Sequence, residues 1–160
     1  MTEQTIDARS MMTQNLVTLS PDMDVLKAIQ VLLRKRISGA PVVDSDGTFV
    51  GIFSERSAMQ VIVNAAYDSL PDAGLMPFVD RDPPTIKPET DLLTICQTFL
   101  NQETRRLPVI EDGRLLGQIS RRDVMGHVIG TSKIRKRHQA ETLYLSALLD
   151  NDQRAVAGLS

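Results

Sequence analysis

The apolar residues of this chain keep two different rhythms, and each rhythm occurs twice. Val25, Ala28, Ile29, Leu32 and Leu33 recur at helical spacing, as do Leu92, Ile95, Cys96, Phe99 and Leu100. Apolar positions spaced in that way line one face of an α-helix, which predicts helices from about Asp24 to Arg36 and Asp91 to Glu103. Asp24 and Asp91 are expected in the first turn, where a negative charge favours the helix dipole. The second rhythm is shorter. Ala40-Pro41-Val42-Val43 and Phe49-Val50-Gly51-Ile52-Phe53 flank Asp46-Gly47, while Leu107-Pro108-Val109-Ile110 and Leu115-Leu116-Gly117-Gln118-Ile119 flank Asp112-Gly113. An Asp-Gly pair between β-branched or aromatic runs predicts a hairpin. Ahead of these elements, Leu16-Val17-Thr18-Leu19 and Pro84-Thr85-Ile86 read as brief extended segments before a proline. Further helices are expected after Ser54, continuing through Val61 to Tyr67, and after Ser120.

The duplication extends to individual residues. With an offset of 67 positions, Leu19-Ser20-Pro21-Asp22-Met23-Asp24-Val25-Leu26 lies over Ile86-Lys87-Pro88-Glu89-Thr90-Asp91-Leu92-Leu93, and Pro41-Val42-Val43-Asp44 lies over Pro108-Val109-Ile110-Glu111. After the hairpin turn the offset is 66, matching Gly47 with Gly113, Gly51 with Gly117, Ser54 with Ser120 and Met59 with Met125. Self-similarity at a fixed period is the signature of a repeat architecture. One such unit buries too little surface to cover its own sheet. The expected fold is therefore α+β (α/β): two tandem βαββα repeats packed sheet to sheet about a pseudo-twofold axis. The divisions are residues 8–68 for repeat one, 69–74 for a linker with Pro71 and Gly74, and 75–130 for repeat two. Residues 131–160 read as a helical tail with apolar Leu143, Leu145, Leu148 and Leu149.

Composition narrows the function classes. With 42% hydrophobic and 24% charged residues the chain is ordinary for a folded soluble protein. The net charge of -2 attracts neither nucleic acid nor an acidic membrane. No apolar run nears the roughly 20 residues that cross a bilayer, and the polar start lacks a secretory pattern. A lone Cys96 excludes an internal disulfide, and two histidines, His127 and His138, leave little for a metal. A reduced cytoplasmic protein is expected, with Cys96 inert and Met11, Met12, Met59, Met76 and Met125 as packing residues. There is no phosphate-binding Gly-Lys loop, no nucleophile elbow and no histidine paired with a nucleophile. No catalytic residue is expected. Lys133, Arg135, Lys136 and Arg137 form a basic run whose default reading is a solvated helix start.

The segment Ser38-Gly39-Ala40-Pro41-Val42-Val43-Asp44 and the motifs Gly51-Ile52-Phe53-Ser54-Glu55-Arg56-Ser57 and Gly117-Gln118-Ile119-Ser120-Arg121-Arg122-Asp123 resemble the CBS domain, named for cystathionine β-synthase. The resemblance spans residues 8–130. It implies a tandem pair that often dimerises into a flat disc and commonly binds AMP, ADP, ATP, S-adenosylmethionine or NAD(H). It also implies that the last residue of the Gly-x-x-Ser-x-x-Asp motif, here Asp123, holds the ribose. A carboxylate suits that task because its two oxygens can accept from both hydroxyls of a diol. Ser120 and the free N–H groups of the helix start offer donors to a phosphate, and Arg121 and Arg122 place positive charge there. Ser120 to Asp123 is equally a capping box that only satisfies the helix end. The two roles are compatible.

The copies differ where it matters. Ser57 stands in the position of Asp123, and Glu55 in that of Arg121. Two unequal sites are therefore expected. The resemblance implies that the better one joins Ser120, Arg121, Arg122 and Asp123 to an adenine pocket of Val17, Ile37, Ser38, Gly39, Ala40 and Pro41. The weaker one involves Ser54, Ser57, Thr85, Arg105 and Arg106, the last two bulky and charged. The expected function is a non-catalytic regulatory module that senses an adenosine-containing ligand, AMP, ADP or ATP first, and signals to an effector protein, as a homodimer. The rivals are a ligand-free homodimerisation scaffold, an NAD(H) or S-adenosylmethionine sensor, and a nucleic-acid-associated regulator acting through the basic tail.

Overall fold

The computed structural model describes residues 5–68 and 74–134, with side chains placed through Gly130. The expected linker around Pro71, the basic run beyond Ile134 and the leucine-bearing tail lie outside the described residues. In chain order the elements are α1 (Ala8–Met11), α2 (Val25–Lys35), β1 (Gly39–Val43), β2 (Phe49–Ser54) and α3 (Glu55–Tyr67). A 3-10 turn (Met76–Phe78) follows, then α4 (Leu92–Asn101), β3 (Arg106–Glu111), β4 (Arg114–Ser120) and α5 (Arg121–Ile134).

Both hairpins form where the Asp-Gly pairs fall, β1 with β2 and β3 with β4, antiparallel. In the second, Asp112 and Gly113 have φ of 51° and 76°, the left-handed pair that twists a two-residue turn to match its strands. In the first, the Asp44 carboxylate accepts from the N–H groups of Asp46 and Thr48, each at 2.9 Å, and so orders a longer turn. The leading extended segments contribute one parallel bridge to each hairpin, Leu19 with Val42 and Ile86 with Val109.

The helices begin one residue later than expected, because Asp24 and Asp91 cap them from outside. Asp24 Oδ1 accepts from Leu26 and Lys27 N–H at 2.9 and 3.2 Å. Asp91 accepts from Thr94 N–H and Oγ1 at 2.9 and 2.8 Å, and these bonds hold its carboxyl below the usual range. The far end of α4 is also short of expectation, stopping at Asn101 with Gln102 extended. Two leucines expected on the buried faces are exposed, Leu33 at 73% and Leu100 at 84%, and they are equivalent positions. Met59 and Met125, another equivalent pair, are likewise exposed and not packing residues, because their neighbours Ala58 and Val124 take the inward direction.

The buried apolar residues form two clusters, one per repeat, and each is completed by a segment from ahead of the other repeat. Ala8 and Met11 of α1 pack with Ile86, Ile95, Phe99, Leu107, Val109 and Ile119. Leu75, with Met76, Phe78 and Val79 against it, packs with Leu19, Val25, Ala28, Leu32, Val42, Phe53 and Val61. Ala8 and Leu75 are equivalent at the 67-residue offset and both are fully buried. Backbone bonds fix the exchange: Thr13 pairs with Gln118 at 2.9 and 3.0 Å, and Asp80 with Ile52 at 2.9 Å in both directions. The close approach requires glycine. A Cβ on Gly117 would lie 2.8 Å from Met12 Sδ and 2.9 Å from Thr13 O, and one on Gly51 would overlap Asp80 O.

The small repeat thus solves its shortage of surface by trading cover with its twin, at about 1.5–3 kcal/mol for each large apolar side chain buried. The pseudo-twofold relation is visible at Thr48 and Arg114, equivalent residues that bridge each other. Described residues up to Val124 belong to one compact unit.

Candidate functional site: two related clefts

The exchange leaves two clefts beside the shared middle of the pair. The first, of about 260 Å³, is lined by Thr13, Asn15, Leu16, Val17, Ile37, Gly39 and Pro41 from one side and by Arg106, Gln118, Ser120 and Asp123 from the other. It brings together six residues expected at the better site, Val17, Ile37, Gly39, Pro41, Ser120 and Asp123, and adds Arg106, expected at the weaker one. Thr13 and Gln118, bonded to each other through their backbones, form part of its wall.

At the start of α5 the capping box is formed. Asp123 N–H donates to Ser120 Oγ at 3.1 Å, and Ser120 N–H donates to Asp123 Oδ2 at 2.8 Å. Among the described residues Oδ1 of Asp123 accepts no hydrogen bond, so half of the carboxylate is spent on the helix and half is available to the cleft. A charged acceptor at a cleft wall is suited to a neutral donor pair such as a diol.

The second cleft is larger, about 450 Å³, and more heavily charged. Ser38, Gly39, Ala40, Ile52, Ser54, Glu55 and Arg56 line one side of it, and Asp80, Pro83, Pro84, Glu103, Thr104, Arg105, Arg106 and Gln118 the other. Several of these are the repeat equivalents of first-cleft residues: Asp80 of Thr13, Pro83 of Leu16, Pro84 of Val17, Thr104 of Ile37, Ser54 of Ser120.

The remaining candidates have other surroundings. Ser38 and Ala40 line the second cleft and not the first. Arg121 turns toward α4: its guanidinium carbon lies 5.9 Å from the Phe99 ring centre, and it donates to Phe99 O at 3.4 Å. Arg122 is exposed and lines neither cleft. Thr85 is exposed while Pro83 and Pro84 face the second cleft. Ser57 is buried and closes a capping box with Ser54, whose N–H donates to Ser57 Oγ at 3.1 Å. Ser54, Arg105 and Arg106 line the second cleft as a group, and Arg106 and Gly39 reach both.

Sequence reasoning missed Thr13, Asn15 and Gln118 in the first cleft, and Asp80, Glu103 and Thr104 in the second. The offset that aligns the repeats also aligns Thr13 with Asp80, which is the signal that could have found them.

Among the described residues no group of three or more His, Cys, Asp or Glu side chains could hold a metal ion. No described helix is long and apolar enough to cross a membrane.

Known proteins share this arrangement. The CBS domain family matches residues 8–64 and 77–130. Protein MJ1225 of Methanocaldococcus jannaschii is 29% identical over 116 residues, 72% of this chain and 40% of that protein. The chloroplastic CBS domain-containing protein CBSX2 of Arabidopsis thaliana is 27% identical over 139 residues, 70% of this chain and 58% of that one. The chain thus spans less than two thirds of the length of these relatives. The crystal structure of CBSX2 in complex with AMP superposes with a TM-score of 0.71 and 25% identity, covering 79% of this chain and 98% of that one. The CBS domain pair of MJ0100, in complex with 5'-methylthioadenosine and S-adenosyl-L-methionine, shares the fold with a TM-score of 0.63 at 17% identity, covering 79% and 98%. Two matched repeats, each with its own core, hairpin and capped helix start, make this chain a tandem CBS-domain protein.

Proposed function

We propose that the chain is a non-catalytic regulatory module that binds an adenosine-containing ligand in the Asp123 cleft and passes the occupancy to a partner protein. The observation that carries this reading is the convergence of Asp123 and Ser120 from one repeat with Val17, Ile37, Gly39 and Pro41 from the opposite one. Apolar side chains and a glycine offer a flat slot for a purine, and the unspent oxygen of Asp123 offers an acceptor for the ribose. The structure of CBSX2 with AMP, at 25% identity, supports the same ligand class.

The cleft volume lies just under the range of about 300–1,000 Å³ usual for ligand sites. That size favours one adenosine unit with its phosphate toward the open start of α5 over a dinucleotide. A mononucleotide, AMP before ADP or ATP, is the expected ligand.

Ligand binding can shift a partner's activity only by the difference in affinity between two arrangements of the pair. A homodimer is part of this reading: Met59, Ile62 and Val63 form an exposed apolar stripe on α3, and a second copy would cover it. The test is a thermal-shift screen with AMP, ADP, ATP, NAD, NADH and S-adenosylmethionine, with light scattering on the same sample. A ligand at 100 times its Kd stabilises by about 2.7 kcal/mol, and a mass of two chains is expected. No shift with any of the six would leave the ligand-free scaffold, and a one-chain mass would remove the dimer.

A further inference from the structure

Gly39 and Arg106 are equivalent positions of the two repeats, and both line both clefts. A strict repeat would set two like side chains on this common wall. Here one side is bare, and closely backed: a Cβ on Gly39 would lie 3.3 Å from Phe53 O and from Ser54 Cα. The other side carries an arginine. Of the three arginines that line the second cleft, Arg56, Arg105 and Arg106, only the last also lines the first, so the two clefts share a single guanidinium.

The backbone of Arg106 is fixed at the start of β3, where Thr104 Oγ1 donates to Arg106 O at 2.7 Å. Its side chain is half-buried. Among the described residues its guanidinium makes no hydrogen bond or ion pair, although Glu103 and Asp80 line the second cleft and Asp123 the first. Among the described residues the other arginines are exposed, whereas this one keeps an uncommitted charge at the junction of two cavities. A guanidinium grips a phosphate through paired N–H groups in a fixed fork, and one fork cannot hold two phosphates.

We propose that Arg106 is an anion-binding group shared by the two clefts, so that a phosphate-bearing ligand in the Asp123 cleft and an anion in the second cleft weaken each other's binding. The proposal rests on the nucleotide reading above and adds to it. The coupling is reciprocal by linkage, and it depends on the phosphate. An adenosine ligand without one would fill the first cleft and leave the arginine free for the second.

Calorimetric titration with AMP and with adenosine tests the first half. AMP should bind more tightly than adenosine, Arg106→Gln should lower AMP affinity by about tenfold while leaving adenosine unchanged, and Arg106→Lys should restore part of the difference. The second half is read with inorganic pyrophosphate, followed by amide shifts of Ala40, Glu103 and Thr104, which line only the second cleft. Pyrophosphate should move these amides in adenosine-loaded protein, and its affinity should be lower by at least about fivefold in AMP-loaded protein.

An unchanged preference for AMP in Arg106→Gln, or equal pyrophosphate affinity in the two loaded forms, overturns the proposal. If neither AMP nor adenosine binds, the nucleotide reading fails by itself. Pyrophosphate titration of the unliganded chain against Arg106→Gln then still decides whether this arginine binds an anion, and equal affinities would dismiss it.

Discussion

The two clefts are built from the same template, yet their chemistry has diverged at a handful of equivalent positions. Where the first has Asp123, its counterpart has Ser57, buried and bonded to Ser54. Where the first has Val17 and Ile37, the second has Pro84 and Thr104. The first ends on an acceptor half free of its helix, and the second ends on a closed pair of hydroxyls. A repeat keeps what the fold needs, which is a side-chain oxygen capping each helix. It is free to vary everything that the fold does not need. Serine and aspartate can both close the capping box by accepting the N–H of the capping serine, but they are not interchangeable as partners for a diol.

The glycines beneath the two walls offer the largest disturbance. Gly51→Ala would drive a methyl into the carbonyl of Asp80, which is backbone and cannot swing aside. A loss of about 2–3 kcal/mol is expected, read as a drop of about 10 °C in Tm. Gly117→Ala meets the flexible end of Met12 first and should cost less. Equal losses would mean that the exchanged segments do not sit as described.

A sharper comparison swaps the caps themselves. Asp123→Ser gives repeat two the same Ser-Ser box that repeat one has, so folding stability should hold while AMP affinity falls by about thirtyfold. Ser57→Ala, on the other side, should leave AMP binding unchanged and cost about 1 kcal/mol of stability, because the Ser54 N–H loses its acceptor in the capping box. Calorimetry with thermal melts on both variants separates the roles. Equal losses of AMP binding would show that the two clefts are not unequal in the way described, and a large destabilisation by Asp123→Ser would show that the carboxylate serves the helix first.

Much of this architecture could be read before any coordinates. The hairpins sit where Asp-Gly pairs lie between β-branched runs, because that turn chemistry is local. Ser54 and Ser120 cap their helices as the spacing requires. The covered helix faces are one position narrower than the periodicity predicts. Leu33 and Leu100 keep helical phase with buried neighbours, yet they project outward, because phase alone does not say how broad the covered face is. Arg121 and Arg122 illustrate a second limit. A positive charge at a helix start suggested an anion, but a long side chain chooses among neighbours that only the fold supplies, and Arg121 finds the Phe99 ring and carbonyl.

What the sequence determined by itself was the duplication, the order of elements within each copy, and the inequality of Asp123 and Ser57. These follow from backbone preferences and side-chain chemistry acting over a few residues. What only the tertiary structure decided was the exchange of α1 and the Met76–Phe78 turn between the cores, and with it the walls at Thr13, Asp80 and Gln118. The same packing put Arg106 between both clefts. Segments of three or four residues carry too little periodicity to announce a partner. Their places are set by buried apolar area and by backbone pairing across long stretches of chain, and neither exists until the chain has folded.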